Sequence, residues 1–144
     1  MRKFAKWRWV LLALATTALN QYTSAEQSIE LAGYEVHYSV VRSTFLQPEV
    51  AARHEIVRAK NRAVITISAL HDDSTPPPDR ITGSVTNLLS QQIPLQFKLI
   101  EEGSARYYLA TFLFTSEEPL TFKVQLHLAD ESHEFSFKQP VYAQ

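Results

Sequence analysis

Hydrophobic and polar residues alternate along most of the chain from residue 34 onward, and helical spacing is nearly absent. The clearest stretch runs from Leu120 to Leu128, where every second residue is apolar and the residues between are polar. Similar stretches begin near residues 34, 65, 95 and 108. This alternation predicts strands with one buried and one solvated face, which are typical of antiparallel sheets.

The spacing of these stretches predicts the fold class. Three turns, near residues 102, 117 and 130, would join residues 92–138 into a four-stranded meander, and strands near 34–42, 62–70 and 80–88 would form a second layer. The expected hairpins place apolar residues opposite one another: Phe97 faces Tyr108, Phe112 faces Phe122, and Leu126 faces Phe135. The chain is therefore predicted to be all-β, an immunoglobulin-like antiparallel β-sandwich of about seven strands.

Two segments interrupt the alternation. Within residues 43–62, Pro48 suits the first position of a helix and Glu49 suits its first turn. One short helical turn is therefore predicted over residues 48–54, in the long loop after the first main strand. Residues 71–79 (HDDSTPPPD) contain three prolines, which favours a stiff connector between strands over a docking ligand.

The first 25 residues have the order of a secretory signal peptide. Four basic residues precede an uncharged run at residues 10–19, and Thr23-Ser24-Ala25 suits cleavage after Ala25. The uncharged run is shorter than the roughly 20 residues that cross a bilayer, which favours a cleaved leader over a retained anchor. We expect residues 1–25 to be removed and residues 26–144 to form a single β-sandwich domain without a membrane span.

Composition excludes several classes of chemistry. The chain has no Cys, which excludes disulfides, thiolate metal sites and thiol nucleophiles, and its three Gly are too scattered for a phosphate-binding loop. The leader holds four of the 14 basic residues and none of the 15 acidic ones, so residues 26–144 have a net charge of −5. An acidic, exported domain is not expected to bind nucleic acid.

Seven ordered blocks of sequence are spread over residues 34–142. They are YEVHYSV from residue 34, STFL from 43, PEVA from 48, KNRA from 60, TNLL from 86, YYLA from 107 and FKQPVY from 137. Together they resemble the domain-of-unknown-function 4426 family of small exported proteins of Gram-negative bacteria. The resemblance spans nearly all of residues 26–144. It implies a periplasmic, immunoglobulin-like β-sandwich, and it implies no established activity and no catalytic residues.

Basic residues are concentrated between residues 42 and 62, in an otherwise acidic domain. Arg58, Lys60 and Arg62 alternate, so they would project from one face of an extended strand and could bind an acidic partner. Phe45 and Leu46, in the same long loop, would add apolar contacts. The alternative interpretation is a solvated sheet edge whose charges discourage aggregation.

A second candidate site lies in the last predicted hairpin. His127 is expected opposite Glu134, with His133 nearby, and such a cluster could bind a divalent metal ion. The alternative interpretation, ordinary cross-strand pairing of polar residues, is favoured because no third ligand or supporting shell is evident.

These observations favour a protein that is not an enzyme. Neither G-x-S-x-G nor S-x-x-K occurs in the chain, and no cofactor is expected. The predicted function is a non-catalytic binding or accessory module of the periplasm, with another envelope protein as its partner. Two alternatives stay open: a metal-assisted hydrolase using the region of His127, His133 and Glu134, and a binder of anionic envelope glycan or lipid through residues 42–62. The sequence leaves the oligomeric state undetermined.

Cleavage of the leader should remove every tryptophan from the protein. Both tryptophans, Trp7 and Trp9, precede the expected cleavage after Ala25. Protein recovered after export should therefore begin at Glu26 and show tyrosine fluorescence without a tryptophan signal. Intact mass and an emission spectrum check this, and an exported product that keeps either tryptophan would contradict cleavage at this position.

Overall fold

The computed structural model describes residues 27–115 and 117–141, and the signal peptide predicted at residues 1–25 lies outside them. Within the described residues, nine strands, one 3-10 turn and one short α-helix are present. The strands are β1 (Gln27–Leu31), β2 (Tyr34–Arg42), β3 (Arg62–Leu70), β4 (Arg80–Thr86), β5 (Gln92–Leu95), β6 (Lys98–Glu102), β7 (Ala105–Leu113), β8 (Pro119–Leu128) and β9 (Glu131–Pro140). The 3-10 turn is Ser43–Phe45 and the helix, α1, is Pro48–Arg53. The predicted all-β class and the predicted helical turn are confirmed. None of the described helices is long and apolar enough to cross a bilayer.

The strands form two antiparallel sheets, one of five strands in the order β1-β2-β3-β7-β6 and one of four in the order β5-β4-β8-β9. The predicted meander over residues 92–138 is wrong, because the chain changes sheets twice within it. It leaves the four-stranded sheet between β5 and β6 and returns to it between β7 and β8. The expected layers are wrong as well, since β4 joins the sheet opposite to the one that contains β2 and β3.

Two hairpin registers differ from the prediction by two residues. Leu99, rather than Phe97, pairs with Tyr108. Val124, rather than Leu126, pairs with Phe135. Because side chains alternate with a period of two, a shift of two residues preserves the facing pattern, and apolar matching could not reveal it. In β6, however, burial is the reverse of the expected pattern, since Ile100 is buried and Leu99 is exposed.

An aromatic layer joins the two sheets at the centre of the core. The ring centroids of Tyr38 and Phe137 are 4.3 Å apart, and Phe137 stacks on Phe122 with a centroid distance of 4.8 Å. Phe122 is fully buried and meets Phe112 of the opposite sheet at 5.5 Å. Phe112 and Phe122 were expected to pair within one hairpin, but they meet across the sandwich instead. Burying each of these rings contributes about 1.5–3 kcal/mol, so this layer fixes how the sheets sit on each other.

Residues 43–62 fold back on the outer face of the five-stranded sheet as a compact loop. Ala51 and Ile56 are buried against Val64 of β3, which forms a second, smaller apolar cluster. The two ends of the loop are closed by Ser43, which is fully buried. Its Oγ accepts a hydrogen bond from the Ala59 N–H (2.9 Å) and donates one to the Ala59 carbonyl (3.1 Å). The loop is therefore part of the packed structure rather than a free arm.

A carboxylate fastens the end of helix α1, in the middle of this loop, to the β6–β7 hairpin. The Glu102 side chain lies 3.2 Å from Nε2 of His54 and 3.8 Å from Nη1 of Arg53. Burial, and then the charge and hydrogen bond of Glu102, raise the pKa of Tyr107 above its usual value. Helix α1 is thus held both by apolar packing beneath it and by polar contacts at its end.

The proline-containing segment at residues 71–79 connects β3 to β4, as predicted. Two tyrosines hold it: the Tyr34 hydroxyl donates to the Pro76 carbonyl at 2.5 Å, and the Tyr108 hydroxyl donates to the Pro78 carbonyl at 3.2 Å. Hydrogen bonds from Ser74 and Thr75 lower the pKa of the Asp72 carboxyl. These contacts order the connector from both ends.

Strands β4 and β8 approach each other closely at Gly83. A Cβ at this position would lie 2.6 Å from the backbone carbonyl oxygen of Lys123 and 3.3 Å from the Phe97 ring. Because a backbone oxygen cannot move aside by a rotamer change, we expect Gly83→Ala to lower the free energy of unfolding by about 1–3 kcal/mol. Urea unfolding followed by circular dichroism measures this. Ser84→Ala, at the adjacent position, removes only an exposed hydrogen bond that Gln92 donates to the Ser84 hydroxyl, so it should change stability by less than about 0.5 kcal/mol, and equal effects would contradict the packing argument.

The buried phenol of Tyr34 should make the stability of the protein depend on pH in the alkaline range. Burial, and then the charge of Asp79, raise the pKa of this phenol above its usual value of 10.0, so the folded state favours the neutral form. The stabilisation is complete below pH 10 and is lost as the pH rises through the higher folded pKa. Tyr34→Phe should therefore be less stable than the wild type at neutral pH, by about 1 kcal/mol for the lost hydrogen bond, and should lose stability less steeply above pH 10. Chemical unfolding between pH 8 and 11 checks this, and identical alkaline slopes would contradict it.

Candidate binding surface

An apolar cleft of about 210 Å³ opens at one end of the sandwich, between the β4–β5 turn (residues 87–91) and the end of β7. Its floor is made of residues that also belong to the main core: Val85, Phe112, Phe114 and Leu120. Ile93 and Leu113 form partly exposed apolar walls, and Asn87, Gln91 and Glu118 are among the polar residues of the lining. We call this end of the molecule the cleft end. A ligand entering the cleft would contact the core directly.

The β4–β5 turn beside the cleft is held rigid by one asparagine. Oδ1 of Asn87 accepts hydrogen bonds from the backbone N–H groups of Leu89 (3.0 Å) and Gln91 (2.9 Å). Nδ2 of Asn87 donates to Oε1 of Gln91 at 2.7 Å, and Ser90 adopts a left-handed conformation with φ of 62°. The turn is thus ordered by its own polar groups, without support from its apolar side chains.

This turn carries the two most exposed large hydrophobic side chains of the described residues. Leu88 is 68% exposed and Leu89 is 78% exposed. Scattered single apolar residues are common on surfaces, but adjacent ones on a rigid turn beside an apolar cleft indicate a contact site. The sequence analysis did not identify either leucine as a contact residue: the strand predicted at residues 80–88 includes Leu88 as its last residue and ends before Leu89.

The basic residues identified in the sequence do not share a strand. Strand β3 begins at Arg62, while Arg58 and Lys60 precede it in irregular structure, so the prediction of one extended face is wrong. Arg58 is exposed, and its Nη2 donates to the Thr44 carbonyl at 2.8 Å, which helps to close the loop. Lys60 is exposed and Arg62 is half-buried. The three cations remain close in the chain, but Arg58 and Lys60 lie in irregular structure and only Arg62 belongs to a strand.

The two apolar residues predicted in this loop have different environments. Phe45 is 66% exposed, whereas Leu46 is half-buried and packs on the cluster of Ala51 and Ile56. Val57, next to Arg58, is 61% exposed. Phe45 is therefore available for contact, while Leu46 mainly anchors the loop.

The basic segment is continuous with the cleft. The Phe114 N–H donates to the Asn61 carbonyl at 2.9 Å, and Arg62 pairs with Leu113 across the β3–β7 ladder. Since Leu113 and Phe114 both line the cleft, the segment that carries Lys60 and Arg62 adjoins two of its lining residues, although no residue of that segment lines the cleft itself. The structure thus joins the predicted cations to an apolar site that the sequence did not reveal.

The histidine-containing hairpin does not bring its candidate metal ligands together. His127 pairs with Ser132, not with Glu134 as predicted, and its Nε2 lies 2.7 Å from Oγ1 of Thr82. Glu134 accepts a hydrogen bond from Nε2 of Gln125 at 2.9 Å. His133 contacts Glu131 at 2.9 Å, and it alternates with Glu134 along β9, so the two side chains leave opposite faces of the sheet. Among the described residues, no group of three His, Cys, Asp or Glu side chains could hold a metal ion.

Comparisons with known proteins place the chain in a family. The sequence profile described as domain of unknown function DUF4426 matches residues 27–144. The crystal structure of a DUF4426 family protein from Pseudomonas aeruginosa is similar with a TM-score of 0.72 and 33% identity, covering 85% of this chain and 99% of that one. A search of curated proteins finds no match.

A more distant solved structure has the same architecture. A copper-bound variant of FetP from uropathogenic Escherichia coli is similar with a TM-score of 0.61 and 8% identity, covering 83% of this chain and 97% of that one. At that identity the likeness concerns the fold alone. The family profile, in contrast, covers every described residue, and the chain therefore belongs to the DUF4426 family.

Proposed function

We propose that this protein is an exported, non-catalytic binding or accessory protein of the cell envelope, and that it binds another envelope protein at the cleft end. The observation that carries the proposal is the position of two exposed leucines, on a self-supported turn, beside a cleft whose floor is the protein's own core. The leader supports export to the periplasm, because its basic and uncharged segments have the order that secretion requires.

The turn is suited to binding because its shape is fixed before contact. Burying one leucine side chain contributes about 1.5–3 kcal/mol, and ordering a flexible loop would consume much of that gain. The hydrogen bonds of Asn87 to Leu89 and Gln91 hold the loop in place already. A partner that covers Leu88 and Leu89 would therefore keep most of the favourable free energy.

The cations next to the cleft favour a partner with an acidic surface around its apolar contact. Arg58 and Lys60 are exposed, and Arg62 borders the cleft through Leu113. In a domain whose net charge is negative, a local group of cations attracts and orients an acidic partner, mainly by raising the association rate. Phe45, beside Thr44 and Arg58, would extend the apolar contact over the loop.

The basic segment also supports a second candidate function, the binding of an anionic envelope glycan or lipid. The observation in favour is the exposure of Arg58 and Lys60. This function would depend on charge and would weaken strongly with salt, whereas binding through Leu88 and Leu89 would not. The geometry of His127, His133 and Glu134 gives no support to a hydrolase.

The decisive variant changes only the turn. We expect Leu88→Ser combined with Leu89→Ser to weaken capture of the partner from envelope extracts by about 100-fold, because two buried leucines are lost. Folding should be unaffected, since both side chains are exposed. Quantitative mass spectrometry of proteins retained by the immobilised protein measures the loss. Leu70→Ser is the matched control, because Leu70 is 51% exposed at the other end of β3.

Each outcome of this comparison assigns the binding site. A partner lost with the Leu88/Leu89 variant and kept with the Leu70 control supports the proposal. A partner kept by both variants would exclude the cleft end. Retention that survives the leucine changes but falls with Arg58→Glu and Lys60→Glu, and with added salt, would replace the proposal by the anionic-ligand function.

A further inference from the structure

The two sheets have four edge strands, and one of them is unlike the others. Strands β1 and β6 have five residues each, and β5 has four and contains Pro94, which cannot donate a backbone hydrogen bond. Strand β9 has ten residues, and among the described residues it pairs with β8 alone. It is therefore the longest backbone edge that another strand could join.

The free side of β9 can be identified from its turn. Residues 129–130 form a two-residue turn, so Leu128 and Glu131 are the hydrogen-bonded pair that closes the hairpin. Alternate residues from Glu131 onward then bond to β8. The residues between them direct their backbone N–H and C=O groups away from β8. They are Ser132, Glu134, Ser136 and Lys138. Pro140, which has no N–H, occupies the last of these outward positions and ends the row.

The side chains of this edge are complementary to themselves. In an antiparallel pair of two β9 strands centred on Ser136, Glu134 of each copy lies opposite Lys138 of the other. On the other face of the same pair, Phe135 lies opposite Phe137 of the second copy. Opposite charges directly across two strands are stabilising, and this pair occurs twice because of the two-fold axis, whereas Phe135 and Phe137 already pack in the core of each copy.

We infer that this protein forms a symmetric dimer in which β9 pairs with β9 of a second copy, and that Glu134 and Lys138 set the register. The occupant of the edge is a second copy rather than an unrelated strand, because the sequence from residue 134 to 138 (EFSFK) supplies its own complement in reverse order. The inference is independent of the binding proposed for the cleft end, since none of these residues lines the cleft.

Neighbouring contacts show that β9 is firmly positioned for pairing. Tyr38 lies 5.4 Å from Phe135 and 4.3 Å from Phe137 between ring centroids, and Nε2 of Gln139 donates to the Val40 carbonyl at 3.0 Å. These contacts hold the inner face of β9 against β2. The edge therefore does not have to be ordered when a second strand binds.

Charge reversal tests the inference, and recovery in a mixture separates the pair between copies from the contacts that Glu134 makes with Gln125 and Lys123 in its own copy. In Glu134→Lys, and equally in Lys138→Glu, every charged pair across the dimer becomes a like pair, so each variant alone should dissociate at least about tenfold more readily. A mixture of the two variants should recover dimer, because all charged pairs in the mixed species are opposite. Sedimentation velocity over a concentration series, with protein purified after export, measures both effects. Glu131→Lys, which changes the charge at a position beyond the paired region, is the matched control.

The inference stands if the wild type and the Glu131 control form dimers, both reversal variants are weakened, and their mixture recovers. A wild type that stays monomeric up to about 0.5 mM would overturn it, because edge pairing weaker than that falls outside specific association. A dimer insensitive to both reversals would assign the interface elsewhere. Weakening without recovery in the mixture would show that Glu134 and Lys138 do not face each other.

Discussion

The stack of aromatic rings from Tyr38 through Phe137 and Phe122 to Phe112 is the contact on which the rest of the structure depends. It runs from β2 to β9 and β8 and then back across the core to β7, so it fixes both the pairing within a sheet and the position of one sheet over the other. Because the inward positions of the central strands are committed to this core, the side chains available for binding lie in the loops, along the edges and on the outer faces of the sandwich.

The sequence was sufficient to predict which faces of most strands are buried, with β6 as an exception, but not which strands are neighbours. The period of two assigned Phe122, Val124 and Phe135 to the core correctly. Register and sheet membership depend on turn length and on where the chain crosses between layers, and neither changes the alternation. Phe97 lies in the crossing after β5, and the missing side chain of Gly83 leaves room for its ring. A single glycine inside a strand was too weak a signal to predict that crossing.

The candidate site was predicted only in its charged part. Arg58 and Lys60 stood out because their charge contrasts with an acidic domain, whereas Leu88 and Leu89 look in the sequence like two more strand residues. The feature that separates them is Asn87, whose side chain bonds the backbone two and four residues later and so ends β4 early. An asparagine before an apolar pair is therefore the signal that could have identified the turn.

The two proposed surfaces rely on different interactions, and this makes them separable. At the cleft end the favourable free energy would come from apolar side chains, which respond little to salt. Along β9 it would come from backbone hydrogen bonds and from exposed pairs of Glu134 and Lys138, whose attraction is screened within about 10 Å at 0.1 M ionic strength. Raising the salt concentration should thus weaken self-association before it weakens partner capture. Because the turn is held by its own hydrogen bonds and β9 by packing against Tyr38, a change at one surface need not be transmitted to the other.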